Sequence, residues 1–182
     1  MKSARELIGT ILKWEQPTAR KYEFELHADG QLAATLRFRS EFGTFATAES
    51  ADGCWTFKRT GFWHPQVSVR ACGSDENIAV FKPNTWKGGG TLELSGERKL
   101  LASTSFWQND YQIKTEDDVP LIHFKTSGVL RMSAECEIAP EAAAWPELTW
   151  LVSFSWYLWL LSCLDGAAAA ATATVGVAIA AV

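Results

Sequence analysis

The sequence predicts a mainly β protein in which a closed antiparallel β-barrel encloses a C-terminal hydrophobic α-helix. About twelve short segments alternate apolar and polar residues at roughly ten-residue intervals, a spacing typical of an all-β sandwich or barrel. The nine tryptophans and ten phenylalanines favour pleated, half-buried surfaces. The stretch 146–164, PELTWLVSFSWYLWLLSCL, carries only the charge of Glu147 and is apolar on every helical face.

Alternation with a period of two marks the predicted strands. In segment 22–27, Phe24 and Leu26 alternate with polar residues, and Asp29-Gly30 then predicts a tight hairpin turn. Pro17 ends the first strand, because proline restricts the residue before it and has no amide hydrogen to donate. The twelve predicted strands are 7–15, 22–27, 32–38, 44–49, 54–60, 66–72, 77–82, 91–94, 100–106, 111–115, 119–125 and 129–138.

The apolar stretch 146–164 predicts a helix with no solvent-facing side. Pro146 is tolerated in the first turn, and Asp165-Gly166 is predicted to end the helix because glycine readily adopts a left-handed cap. We therefore divide the chain into a barrel with its central helix, residues 1–165, and an alanine-rich tail, residues 166–182. The sequence leaves open whether this tail prolongs the helix, packs loosely or is disordered.

Two environments accept such a helix, a lipid bilayer and the protein interior. Its length is at the short end of what spans a bilayer, so a tail anchor with residues 148–182 in the membrane is the alternative. However, no Lys or Arg follows Arg131, and basic flanks normally orient a membrane span. A barrel of about twelve strands needs its lumen filled, so we expect the helix inside. An open, lipocalin-like carrier would require the helix to lie elsewhere.

Composition narrows the possible functions. A formal net charge of -4 provides no overall positive field for nucleic acid. The spacing of the four cysteines matches neither a zinc site nor a dense disulfide framework, so we expect free, buried thiols. The N-terminus shows no secretory signal, which predicts a cytoplasmic location, peripheral at a membrane if lipid is the ligand. The cysteines are Cys54, Cys72, Cys136 and Cys163.

No catalytic or metal-binding motif stands out in the sequence. The histidines His27, His64 and His123 are isolated, and no G-x-S-x-G element is present. The acidic pair Asp75-Glu76 lacks the alternation and glycine of a calcium loop. The glycine-rich segment 86–90 precedes a strand rather than a helix, so it does not form a helix-terminal phosphate site. We expect a non-enzymatic protein with no cofactor and no metal.

The candidate site is a group of basic residues on three neighbouring predicted strands and one loop. Lys58 and Arg70 fall on polar positions of their strands, so they are expected side by side on the outer face of the barrel. There they can donate charge-assisted hydrogen bonds to a phosphate. A solvated barrel exterior is the alternative. The candidate ligand-binding residues are Lys58, Arg59, Arg70, Lys82 and Lys87.

Three motifs, GCWTFKRTGFWHPQVSVR, NIAVFKPNTWKGGGTLEL and ELTWLVSFSWYLWLLSCLD, resemble those of tubby C-terminal-like domains over about residues 7–165. This superfamily includes tubby proteins, LURP-one-related proteins and phospholipid scramblases. The resemblance implies a twelve-stranded barrel around a C-terminal hydrophobic helix. It also implies either phosphoinositide binding through surface basic residues, as in tubby domains, or a scramblase-like role at membranes.

Several scramblase features are missing from this sequence, namely a proline-rich N-terminal region, a cysteine-rich acylation cluster and a calcium loop. We therefore expect a monomeric binding or scaffold barrel whose partner is an anionic membrane lipid or a protein, and not nucleic acid. A tail-anchored or scramblase-like membrane protein is the alternative.

Overall fold

The computed structural model describes residues 1–19, 21–40, 43–84, 89–104, 110–127 and 132–179, with side chains as far as Gly166. Within these ranges, twelve strands form one closed antiparallel barrel and one long helix, α1 (Leu148–Ile179), begins inside it. The strands are β1 Leu12–Glu15, β2 Glu23–Ala28, β3 Gln31–Phe38, β4 Ala46–Ser50, β5 Gly53–Thr60, β6 Gln66–Ala71, β7 Ala79–Pro83, β8 Gly90–Leu94, β9 Lys99–Thr104, β10 Asp110–Thr115, β11 Pro120–Ser127 and β12 Ser133–Ile138. The predicted fold class is confirmed.

The barrel closes because each strand pairs with its neighbours in sequence and β1 pairs with β12, placing Trp14 opposite Ala134. The first strand is shorter than predicted and begins at Leu12. Residues Ala4–Leu7 instead form a 3-10 turn, in which the Ser3 amide donates to Glu6 Oε2 over 2.7 Å. This capping box favours a helical start over an extended one.

Helix α1 fills the centre of the barrel. Of residues 148–161, all but Thr149 are buried. Trp156 is fully buried and stacks on Trp14 of β1, with ring centroids 5.7 Å apart. Burial of each large apolar side chain stabilises the fold by roughly 1.5–3 kcal/mol, so the helix contributes a large part of the core. The prediction of an internal helix is confirmed.

One segment of this helix, Leu148–Gly166, has the length and hydropathy of a membrane span, but 72% of it is buried inside the protein. The alternative that placed the whole of residues 148–182 in a bilayer is therefore wrong for the part of the helix inside the barrel. The barrel wall, rather than lipid, covers the apolar surface of this part of the helix.

Two hydroxyl groups of the buried helix have backbone partners, whereas the indole Nε1 of Trp156 is buried without one. The Ser155 hydroxyl donates to the Leu151 carbonyl over 2.6 Å, and the Tyr157 hydroxyl donates to the Thr44 carbonyl over 2.5 Å. A buried hydroxyl without such a partner would cost about 1–3 kcal/mol. These bonds allow two polar side chains in an otherwise apolar core.

The helix does not end at Asp165-Gly166, so that prediction is wrong. Its backbone continues to Ile179. As far as that residue, the alanine-rich tail therefore prolongs the helix. Nothing lies within 4 Å of the position a Gly166 Cβ would occupy, so no packing forces a turn there. Glycine inside a helix costs only about 1 kcal/mol, and the alanines that follow have the highest helix propensity.

Two of the four cysteines form a disulfide, contrary to prediction. Cys54 and Cys72 are bonded with a Cα–Cα distance of 5.4 Å, whereas Cys136 and Cys163 are free. Cys54 begins the β5–β6 hairpin and Cys72 follows its end, so the register of the two strands brings the thiols together. Disulfides persist mainly in oxidising compartments. The cytoplasmic location stays a prediction.

The helix gives the barrel two distinct ends. At the entrance end, where the β8–β9 connection 95–98 lies, the Glu147 carboxylate accepts hydrogen bonds from Arg98. At the exit end, where the β5–β6 connection 61–65 lies, Asp165 accepts bonds from Arg59 of 2.7 and 2.8 Å. Because all neighbouring strands are antiparallel, successive connections alternate between these two ends.

Candidate functional site

Lys58 and Arg70 lie on the outer face of adjacent strands. Lys58 is opposite Ser68 in the β5–β6 register and Arg70 is opposite Thr56, so the two basic residues are diagonal neighbours on one face. Such neighbours are about 7–8 Å apart at the backbone, within reach of long side chains. The predicted juxtaposition of Lys58 and Arg70 is confirmed.

A shallow groove runs between these two side chains. One part, of about 140 Å³, is lined by Lys58, Ser68, Arg70 and Asn77 among others. An adjoining part, of about 300 Å³, is lined by Lys58 and Arg70 together with Thr56 and one acid, Asp75. The groove thus offers two cations and several hydroxyl and amide groups, which are the donors that bind a phosphate.

The two cations differ in how far they are neutralised. The Arg70 Nε donates to Asn77 Oδ1 over 2.7 Å, and its Nη1 lies 3.7 Å from the fully exposed Asp75 carboxylate. Lys58 is exposed and forms no ion pair with any residue that the structure describes. An anion in the groove would therefore meet one ammonium without an ion-pair partner and one guanidinium held by a hydrogen bond to Asn77 and paired with Asp75.

The other three candidate residues do not add to this pair. Lys82, on the outer face of β7, is bound to Glu93 of β8 at 2.7 and 2.8 Å. Arg59 lies on the same, inward-facing side of β5 as Trp55 and Phe57. It binds Asp165 at the exit end instead of facing the groove. Lys87 lies outside the described residues.

The three histidines are either close to an acidic residue or exposed. His27 Nε2 lies 3.0 Å from Glu25, His123 Nε2 lies 3.0 Å from Asp110, and His64 is exposed. In the part of the chain that the structure describes, no group of three His, Cys, Asp or Glu residues could hold a metal ion.

A second groove lies between the segment before β1 and the strands β11 and β12. It measures about 320 Å³, and its lining includes Lys125, Glu135 and Glu137. Lys125 is opposite Glu135 in the register and His123 is opposite Glu137. Because acids outnumber the basic residues here, this groove is a poorer site for an anion than the one between Lys58 and Arg70.

An apolar pocket of about 290 Å³ lies at the exit end. Leu158 and Leu161 of α1 line it together with Val67 and Phe81 of the barrel, and the Arg59–Asp165 ion pair stands at its edge. Burial raises the pKa of the nearby Cys163 thiol to about 11. No sequence pattern predicts this pocket, because it depends on where the helix leaves the barrel.

Sequence comparisons identify no relative: no protein-family model and no curated protein sequence matches this chain. A solved structure does. The fold is similar to that of AT5G01750, a protein of Arabidopsis thaliana. The similarity covers 74% of this chain and 85% of that one, with a TM-score of 0.50 and 10% sequence identity. At this level of identity the comparison supports the barrel architecture alone and leaves the ligand to be argued from the site.

Proposed function

We propose that this protein is a non-enzymatic binding module that recognises anionic phospholipid head groups, of the phosphoinositide type, at a membrane surface. The observation that carries this proposal is the juxtaposition of Lys58 and Arg70 across an outer-face groove, with Lys58 free of any ion pair to a described residue. A phosphate monoester presents several acceptor oxygens, which match an ammonium and an oriented guanidinium.

The position of the groove on the barrel supports a membrane-bound ligand. Lys58 lies two residues before the end of β5, close to the exit end, and Arg70 lies further along the wall on β6. A head group projecting from a bilayer would reach the groove from its Lys58 side. The similar fold of AT5G01750 and the motifs that resemble tubby C-terminal-like domains make membership of that superfamily part of this proposal.

The test is flotation of the full-length protein with phosphatidylcholine vesicles that contain or lack a phosphoinositide. Each basic residue near an anionic surface contributes about 1 kcal/mol of binding, or roughly fivefold in affinity. We expect Lys58→Glu to weaken binding to the phosphoinositide vesicles at least fivefold, and Lys58→Glu/Arg70→Glu to abolish the preference for them.

Arg37→Glu provides a matched control. Arg37 is an exposed base on β3 whose nearest acid, Glu49, is 3.8 Å away, and its reversal changes the net charge by as much as Lys58→Glu does. If Arg37→Glu weakens binding equally, the protein responds to overall charge and the groove is not the site. Absence of any preference for phosphoinositide in the unaltered protein would also refute the proposal.

A further inference from the structure

The exit end of the barrel presents two adjacent aromatic side chains to solvent. Phe62 and Trp63, in the β5–β6 connection, are 88% and 85% exposed. Their rings meet edge to face with centroids 5.2 Å apart, and neither ring contacts any other ring in the described part of the chain. Large apolar side chains that stand together in water commonly mark an interaction surface.

The backbone of the connection holds these rings outward. Gly61 has a φ of 85°, and a Cβ at this position would lie 2.5 Å from the carbonyl oxygen of His64. Only glycine fits such a tight turn. The turn therefore closes on itself from Gly61 to His64, and the two residues between them project from its tip.

The helix leaves the barrel at the same end. Asp165, which binds Arg59 there, is the last charged residue of the sequence. The helical backbone continues from Gly166 to Ile179, which is about 20 Å at 1.5 Å per residue. A bilayer has a hydrocarbon core about 30 Å thick, so this segment is long enough to extend through one leaflet. A helix also satisfies its own backbone hydrogen bonds, as lipid requires.

Charge distinguishes the two ends. Among the described residues of the exit-end connections 16–22, 39–45, 61–65 and 84–89, Lys21 and Arg39 are basic; the sequence of these connections also contains one acid, Glu41, which lies outside the described residues. The connections of the entrance end are rich in acids: Asp29, Asp52, Asp75, Glu76, Glu97, Glu116, Asp117 and Asp118. An anionic leaflet repels the entrance end, so the exit end is the one that can face it.

We propose that the exit end is a membrane-docking surface. Phe62 and Trp63 enter the interfacial layer of a phospholipid bilayer, where tryptophan is favoured, and the helix beyond Asp165 continues into the acyl chains of the same leaflet. A second copy of this chain could also cover the two rings. The uncharged helix beside them and the small number of acids in the exit-end connections favour the bilayer.

This surface is independent of head-group recognition by Lys58 and Arg70, because apolar insertion needs no anionic lipid. The experiment therefore uses vesicles of phosphatidylcholine alone at about 0.5 M NaCl, which screens exposed charges. We expect the full-length protein to float with these vesicles. The variant Phe62→Ala/Trp63→Ala should lower the partition constant about tenfold or more, because two large apolar side chains no longer leave water.

Ile11→Ala is the matched control. Ile11 is 79% exposed and directly precedes β1 at the entrance end, so its loss should leave the partition constant unchanged. Both variants alter exposed side chains, and an unchanged circular dichroism melt shows that they fold.

The proposal is overturned if the unaltered protein does not float with phosphatidylcholine vesicles. It is equally overturned if the Phe62→Ala/Trp63→Ala variant floats as well as the unaltered protein. It is also overturned if the unaltered protein sediments as a dimer that this variant converts to monomer, since a second copy then covers the rings. If the unaltered protein binds phosphatidylcholine vesicles but shows no preference for vesicles that contain phosphoinositide, the result supports this inference and refutes the proposed function.

Discussion

Replacing Trp156 by alanine tests whether the helix is the core of the barrel. Trp156 is fully buried, and its ring lies 4.6 to 6.0 Å, centroid to centroid, from those of Trp14, Phe24, Phe124 and Trp159. Removal of a buried tryptophan costs about 3–5 kcal/mol, and the cost is greatest where the surroundings cannot collapse. Three of its neighbours are fixed in a closed hydrogen-bonded wall, so we expect about 4–5 kcal/mol.

That loss is a large fraction of the 5–15 kcal/mol by which a domain is typically stable. The measurement is equilibrium unfolding in guanidinium chloride followed by far-UV circular dichroism, because the substitution removes a fluorophore. Trp63→Ala is the matched control, since it makes the same chemical change at an 85% exposed site; we expect it to cost less than about 0.5 kcal/mol. Equal unfolding midpoints for the two variants would refute the placement of the helix in the core.

Two further predictions concern the cysteines. The Cys54–Cys72 disulfide spans 18 residues and should contribute about 3 kcal/mol, so reductant should lower the denaturation midpoint of the unaltered protein while leaving Cys54→Ser/Cys72→Ser unaffected; an unchanged midpoint on reduction would contradict this. Burial raises the pKa of the Cys163 thiol from 9.0 to about 11. As the pH rises, the thiol therefore loses its proton in the unfolded chain before it does so in the folded protein. The free energy of unfolding is thus highest below pH 9 and declines as the pH rises toward 11. Cys163→Ala should flatten this decline in pH-dependent melts, and an identical slope in both proteins would show that another group causes it.

Much of the barrel follows from local sequence patterns. The alternation of apolar and polar residues specifies which side chains of each strand point inward, and it correctly places Lys58 outside and Phe57 inside. The same alternation places Arg59 on the inner face of β5. The candidate group of basic residues was chosen without using this signal. Turn residues such as Asp29-Gly30, both with positive φ, specify the hairpins. These features are predictable because they depend on neighbours within a few residues.

Other features depend on which distant residues the fold brings together. The register of β5 and β6 decides that Cys54 meets Cys72, and the register of β7 and β8 decides that Glu93 neutralises Lys82. Neither partner can be read from spacing along the chain. The prediction of free thiols and the inclusion of Lys82 with the other cations were made without this information.

The helical character of residues 148–164 and the lack of a polar face were determined by the sequence alone. Its environment was decided by the tertiary structure, since hydrophobicity is the same whether the helix faces lipid or the barrel wall. Closure of β1 on β12 creates the lumen that buries residues 148–161 apart from Thr149. Closure also determines which strand connections lie at the same end of the barrel as Asp165. As a result, the helix leaves the barrel beside the connection that carries Phe62 and Trp63.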